Sequence, residues 1–132
     1  MTRFGLSKQE RIKSRKEFQQ IFSSGKNLVS FDKKIKATFT AEKNNLEPGV
    51  KIAAAVSRKA GIAVWRNRVK RLIKESYRLN KYLLIDFAEK DQYNIRIIFS
   101  PYLLNQKYNK IIELKDITPA IVDVMTRVKS SL

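Results

Sequence analysis

The sequence contains neither cysteine nor histidine. Without thiols the chain cannot form disulfides, a thiolate nucleophile or a Cys/His zinc site, and without imidazole it has no histidine acid–base chemistry. Long apolar runs are also absent, since no stretch approaches the roughly 20 residues that cross a bilayer. The N-terminus lacks the apolar stretch of a signal peptide. We therefore expect a cytoplasmic protein that has no membrane partner.

Acidic residues are scarce relative to basic ones. Among 132 residues, 28 Lys and Arg face 12 Asp and Glu, which leaves a net charge of +16. The 43% hydrophobic content is enough for a folded core. Length and composition predict one domain over residues 1–132, with a short basic N-terminal arm at 1–10. A charge balance this basic favours a polyanionic partner, above all nucleic acid.

The positive charge is concentrated in the first two-thirds of the chain. Residues 1–81 carry 21 basic and 6 acidic side chains, whereas residues 82–132 carry 7 and 6. The stretch from Arg58 to Lys81 contains nine basic residues and one acidic residue, Glu75. Most charge runs are simply solvated faces. Here the missing acids leave self-repulsion uncompensated, so the stretch is interpreted as a polyanion-binding segment.

Local patterns predict mixed α and β structure. Ser14 followed by Glu17 is typical of a capping box and predicts a helix at 15–24, with Gly25 as its C-terminal cap. Period-2 alternation predicts a strand at 34–40, and apolar runs predict a central strand at 52–56 and another strand at 93–99. Thr118 and Pro119 predict the start of a last helix after an extended connection at 101–117. These patterns predict the fold class α/β (α+β), a two-layer sandwich with helices packed on one sheet, in the order helix, strands, helix, strand, helix.

The segment between the last two strands predicts an amphipathic helix. At 100° per residue its apolar stripe comprises Ile62, Trp65, Val69, Leu72, Ile73 and Ser76. The opposite face carries Asn67, Lys70, Arg71, Lys74, Arg78 and Lys81, and Arg66 and Arg68 flank the apolar stripe. A basic face with one acid indicates an external polyanion but does not distinguish RNA from DNA.

Two stretches resemble the bacterial ribonuclease P protein family. Residues 55–78 resemble its signature, a strand ending in Val-Ser-basic-basic, a glycine-containing loop and the helix Arg66-Asn67-Arg68-x-Lys70-Arg71. Residues 11–25 are similar to the family's N-terminal helix. The chain is identified as a member on these two matches. Several features depart from the pattern: Ala54 replaces a glycine, Arg58 a lysine and Lys74 an arginine, Lys36 lies near where relatives often have an aromatic residue, and the 101–117 connection is longer than usual.

The resemblance implies a subunit of a ribonucleoprotein endonuclease. In this family a large catalytic RNA with Mg²⁺ removes the 5′ leader of precursor tRNA, and the protein assists. The resemblance implies one protein per ribonuclease P RNA, Mg²⁺ held mainly by that RNA, and no catalytic side chain or organic cofactor in the protein. The sequence is consistent with a protein that has no catalytic side chain, because its acidic residues Asp86, Glu89 and Asp91 are interpreted as a solvated loop rather than a metal site.

The resemblance also implies two sets of binding residues and the element order α-β-β-β-α-β-α with a left-handed βαβ crossover. The residues implied to bind the catalytic RNA are Arg58, Lys59, Arg66, Asn67, Arg68, Lys70, Arg71 and Lys74. Those implied to bind the 5′ leader are Phe18, Phe22, Lys34 and Lys36. From spacing alone, the two phenylalanines would be core residues and the two lysines an ordinary exposed edge.

Three other functions stay open from the sequence. A structural RNA-binding protein of the ribosomal type would share the basic helix and the charge. A self-sufficient nuclease would need a carboxylate constellation that the sequence does not display. Non-specific DNA binding would need only the basic face.

Overall fold

This computed structural model describes residues 8–132, which contain both helices and strands. Residues 1–7 of the predicted N-terminal arm lie outside that part. The elements are α1 (Arg15–Ser24), β1 (Lys26–Val29), β2 (Ile35–Glu42), β3 (Gly49–Ala54), α2 (Ala63–Asn80), α3 (Tyr82–Lys90), β4 (Asn94–Pro101) and α4 (Leu114–Ser130). Short 3-10 turns occur at Lys8–Glu10 and Arg58–Ala60. The mixed α and β class is confirmed, with α3 as an additional helix.

The four strands form one sheet in the order β1-β2-β4-β3. Strand β2 is antiparallel to β1 and β4, and β3 is parallel to β4. The prediction that the 52–56 run is a central strand is therefore wrong, because β3 is at the edge. Its residues are buried by the layers above and below, and the backbone N–H of Ile12 donates to the Ile52 carbonyl at 2.9 Å.

Helices cover both faces of the sheet. On one face, α2, α3 and α4 pack on Ile35, Ala37, Ile97 and Phe99 to form the main core, so the predicted layer of helices on one sheet is present. On the other face, α1 contributes Ile21 to a smaller cluster. The two cores are built from alternate residues of the same strands, because successive side chains in a strand point to opposite faces.

The helix α1 begins where the sequence predicts. The backbone N–H of Glu17 donates to the Ser14 side chain at 3.0 Å, which caps the first turn. The C-terminal prediction is only partly right, since Gly25 follows the helix but has an extended backbone with φ −77° rather than a left-handed one. This extended residue leads directly into β1.

The crossover from β3 to β4 contains two helices. Because β3 and β4 are parallel neighbours, the predicted βαβ unit is present, and its left hand stays a prediction. Asp86 and Glu89 are exposed on α3, so the loop predicted for them is wrong. The missed signal is the pair Leu84 and Ala88, which lie four residues apart and are both buried.

The last helix begins earlier than predicted. Glu113 is its N-cap, and a reciprocal capping box joins Glu113 to Asp116. Pro119 is inside the helix, so its prediction as the first helical residue is wrong. The capping box fixes the start one turn upstream, and the connection from β4 is shortened to 102–113. Within residues 8–132, no helix is both long and apolar enough to cross a membrane.

Candidate nucleic-acid interface

The helix α2 is held by one buried stripe. Its buried residues are Trp65, Val69, Ile73, Ser76 and Tyr77, which confirms most of the predicted stripe. Leu72 is only half-buried, and Ile62 lies outside the stripe, since it is the N-cap residue and 62% exposed. The helix begins after Ile62, so the helical period does not extend to that residue. Burial of this stripe fixes which side of α2 faces outward.

The outward side of α2 carries cations without acidic partners. Arg71 and Lys74 are exposed, and neither forms an ion pair with any acid in residues 8–132. The one acid, Glu75, is bound by Arg78, whose Nε lies 3.0 Å from Oε2. The hydrogen bond from Arg78 lowers the pKa of the Glu75 carboxyl below its ordinary value. The single acid is therefore occupied by Arg78 and leaves the other cations uncompensated.

Lys81 does not belong to this outward side, although the sequence placed it there. The side chain is only 4% exposed, and its Nζ lies 3.0 Å and 3.2 Å from the two Glu10 carboxylate oxygens. Lys81 is the junction residue between α2 and α3. It therefore leaves the helical period of α2 and binds the N-terminal 3-10 turn instead.

Arg66 and Arg68 lie beside the buried stripe and have further contacts. The Nε of Arg68 donates to the Ile112 carbonyl at 2.8 Å, which ties α2 to the 102–113 connection. The Nε of Arg66 is buried and has no hydrogen-bond partner within residues 8–132. Arg58 and Lys59 are exposed on the 3-10 turn before α2. We call the whole set the basic surface: Arg58, Lys59, Arg66, Asn67, Arg68, Lys70, Arg71 and Lys74.

The face of the sheet under α1 forms a second candidate site, which we call the α1 cleft. Strand register places Thr40 beside Arg96 and Arg96 beside Lys51. At the other end of the strands, Lys36 is beside Ser100. These side chains alternate with main-core residues and so point toward α1. The α1 cleft therefore has a cation at each end.

The two phenylalanines of α1 have different environments. Phe18 is half-buried and packs with Ile21 and Ile98 in the small core cluster. Phe22 is 55% exposed. The spacing of four residues suggested equal roles, but only Phe22 has a ring free to contact a ligand.

The two lysines predicted to accompany the phenylalanines lie on opposite sides of the sheet. Lys36 lines a groove of about 400 Å³ together with Ala55, Ser57, Ser100 and Tyr102. The Nζ of Lys34 donates to the Asp116 carbonyl of α4 at 3.3 Å. Because α4 covers the other face, Lys34 is not brought together with Phe18, Phe22 and Lys36.

Sequence reasoning missed Arg96 and Lys51 in the α1 cleft. Arg96 forms an ion pair with Glu17 of α1, with a nitrogen–oxygen distance of 3.3 Å. The signal was available, since Arg96 interrupts the apolar run of β4 at the positions that alternate with Ile95 and Ile97. Because the sequence analysis treated this strand as uniformly apolar, Arg96 was overlooked. Lys51 carried no pattern that distinguished it from other surface lysines.

The described residues offer no metal site. Within residues 8–132 no three acidic side chains lie together in a way that holds a metal ion. Asp86 and Glu89 are spread along the exposed side of α3. The donor set of this part of the chain therefore does not suit a resident Mg²⁺, which prefers several closely placed oxygen ligands.

Comparisons with known proteins agree on one family. A model of the Ribonuclease P family matches residues 6–118. The chain is 38% identical over 96 residues to the ribonuclease P protein component of Porphyromonas gingivalis, covering 73% of this chain and 69% of that one. It is 33% identical over 120 residues to that of Clostridium botulinum, covering 91% and 95%. Its fold is similar to that of the RNase P protein from Thermotoga maritima, with a TM-score of 0.70 at 24% identity over 89% and 96% of the two chains.

The different environments of Phe18 and Phe22 predict different effects on folding. Changing Phe18 to Ala should lower the free energy of unfolding by about 2 kcal/mol, because a packed ring is lost from the small core. Changing Phe22 to Ala should alter it by less than about 0.5 kcal/mol. Urea unfolding of the two variants measures both values. Equal losses would contradict the assignment of Phe22 to the exposed side of α1.

Proposed function

The chain belongs to the ribonuclease P protein family, and from that premise we propose that it assists a catalytic RNA in removing the 5′ leader of precursor tRNA. The observation that carries the proposal is the basic surface, whose cations have no acidic partners among residues 8–132. Such a surface favours binding of an external polyanion, which would relieve the repulsion between the cations.

The basic surface is proposed to bind the ribonuclease P RNA. Its arginines give forked contacts to phosphates, and Arg71 and Lys74 are exposed on the side of α2 away from the core. Each cation that neutralises a phosphate releases a counterion, so the affinity depends steeply on salt. Asn67 is exposed among these cations and can donate to a sugar or a base edge.

The α1 cleft is proposed to bind the single-stranded 5′ leader. The exposed ring of Phe22 can stack on any base, and Lys36 and Lys51 can contact phosphates. Leaders differ between precursors, so a site built on stacking and phosphate contacts suits them. Because α1 and α2 cover opposite faces of the sheet, the protein would separate the leader from the catalytic RNA by one layer of β-structure.

Hydrolysis is assigned to the RNA rather than to this chain. Mg²⁺ held by that RNA would supply the activated water and would stabilise the leaving oxygen. Within residues 8–132 no cluster of carboxylate side chains could hold the metal ions for hydrolysis. The protein would raise affinity for the precursor, at one protein per RNA, in the cytoplasm and without an organic cofactor.

Reconstituted cleavage tests the proposed function directly. A 5′-labelled precursor tRNA is incubated at low Mg²⁺ with a bacterial ribonuclease P RNA, with this protein, or with both. Only the mixture should cut at the mature 5′ end, because at low Mg²⁺ the RNA alone binds the precursor poorly. Cleavage by the protein alone would instead indicate a protein nuclease. A protein that neither binds the RNA nor promotes cleavage would favour a ribosomal-type role.

Loss of two cations from the basic surface should weaken RNA binding. Changing Arg71 and Lys74 together to Ala should reduce the slope of log affinity against log salt by about 1.4, at roughly 0.7 per phosphate contact. The matched control changes Lys43 and Lys90 to Ala, which removes the same charge at the opposite end of the sheet. An equal change in both slopes would show that only net charge matters.

Loss of the exposed Phe22 ring of α1 should affect the precursor selectively. Changing Phe22 to Ala should weaken binding of precursor tRNA by about 5-fold or more, because one base–aromatic stack is lost. Binding of mature tRNA should be unchanged. Phe31, an exposed phenylalanine in the turn between β1 and β2, provides the control variant Phe31→Ala. Equal losses for precursor and mature tRNA would remove Phe22 from the leader site.

A further inference from the structure

The connection at 102–113 has no regular structure but is firmly attached to α2 and the turn before it. The Gln106 backbone N–H donates to the Ala60 carbonyl at 2.7 Å. The indole N–H of Trp65 donates to the Asn109 carbonyl at 2.9 Å. Together with the bond from Arg68 to Ile112, these contacts hold the connection against the start of α2.

The connection is also braced internally and anchored in the core. The Asn105 side chain accepts a hydrogen bond from the Tyr108 backbone N–H at 3.1 Å, which closes a local turn. Leu104 and Ile112 are buried in the main core at either end of the segment. The residues between them are therefore held in fixed positions, and their exposure is not that of a loose loop.

The outer side of the connection combines an aromatic ring with lysines. Tyr108 is 75% exposed, and the Lys107 Nζ lies 5.4 Å from its ring centroid. Lys107, Lys110 and Lys59 line one open recess of about 510 Å³. None of these lysines forms an ion pair in residues 8–132. We call Lys59, Lys107, Tyr108 and Lys110 the lysine–tyrosine platform.

We propose that the lysine–tyrosine platform is an additional binding site for unpaired nucleotides of the ribonuclease P RNA. This inference rests on the proposed function. The platform shares Lys59 with the basic surface, so one RNA molecule can contact both. Its ring can stack on a base while the lysines contact the flanking phosphates, a combination typical of single-stranded nucleic-acid sites.

The attachment of the platform indicates the catalytic RNA rather than the leader. Its hydrogen bonds run to Trp65 and Arg68 of α2 and to the turn at Ala60. The α1 cleft, by contrast, is on the other face of the sheet. A ligand already lying on α2 therefore reaches the platform without crossing the sheet.

Substitution of Tyr108 tests the stacking contact. Changing Tyr108 to Ala should weaken binding to the ribonuclease P RNA by about 5-fold or more, whereas Tyr108→Phe, which keeps the ring, should bind like wild type. The side chain is exposed, so both variants should unfold at the wild-type urea concentration. Equal affinity for wild type and the Ala variant would overturn the inference.

Removal of the lysines tests the phosphate contacts. Changing Lys107 and Lys110 to Gln should reduce the salt slope of RNA binding by about 1.4, at roughly 0.7 per contact. Changing Lys43 and Lys90 to Gln removes the same charge far from the platform and should leave the slope near the wild-type value. Equal slopes for the two double variants would overturn the inference.

Tethered cleavage identifies which RNA is near the platform. The chain has no cysteine, so Ile111→Cys, at a residue 85% exposed beside the platform, accepts a single iron–EDTA label. Radical cleavage should appear at unpaired nucleotides of the ribonuclease P RNA, and should be absent there for Leu46→Cys at the opposite end of the sheet. Cuts confined to the precursor leader would overturn the assignment to the catalytic RNA.

The three experiments separate failure of this inference from failure of the proposed function. Wild-type protein that does not bind the ribonuclease P RNA overturns both. Wild-type protein that binds, with platform variants indistinguishable from it, overturns the platform alone. The losses described for the platform variants, together with cuts in the catalytic RNA, support both.

Discussion

The pairing of β4 with a strand on each side is the constraint on which the rest of the structure depends. It joins β2 in antiparallel and β3 in parallel register, and so brings both halves of the chain into one sheet. Ile97 and Phe99 bury against α2 and α4, while Ile98 buries against α1. Because alternate residues of one strand form both cores, the positions of α1 and α2 on opposite faces follow from β4.

This two-sided burial decides where the excess charge can lie. Apolar packing fills one face of the sheet, and the other face holds the small core together with Lys36, Lys51 and Arg96, so most of the cations lie on helix surfaces and turns. Ion pairs in residues 8–132 involve only Arg78, Lys81, Arg96, Lys115 and Arg127 among the basic side chains. The remaining cations repel one another at low salt. Binding of RNA to the native state would relieve that repulsion and stabilise the fold through linkage.

Features set by local sequence were predictable, and those set by distant contacts were not. The capped start of α1 at Ser14, the alternation of β2 and the buried stripe around Val69 all follow from short-range periods. The edge position of β3, the burial of Lys81 against Glu10 and the contact of Lys34 with α4 depend on pairings across tens of residues. Arg96 combines the two cases: its place on the α1 face of β4 could be predicted from the alternation of the strand, but its ion pair with Glu17 could not. The family resemblance supplied the functional grouping that periodicity alone could not.

Arg68 shows why a residue of the basic surface cannot be judged by charge alone. Its Nε is used to hold the Ile112 carbonyl, while the side chain as a whole is exposed. Removing it would release the 102–113 connection and would also remove a cation, so weaker RNA binding would have two causes. Arg71 and Lys74 have no such structural bond, and substitutions there report on phosphate contact. The same hydrogen bond attaches the lysine–tyrosine platform to α2, because a side chain of the proposed RNA-binding surface also fixes the neighbouring segment.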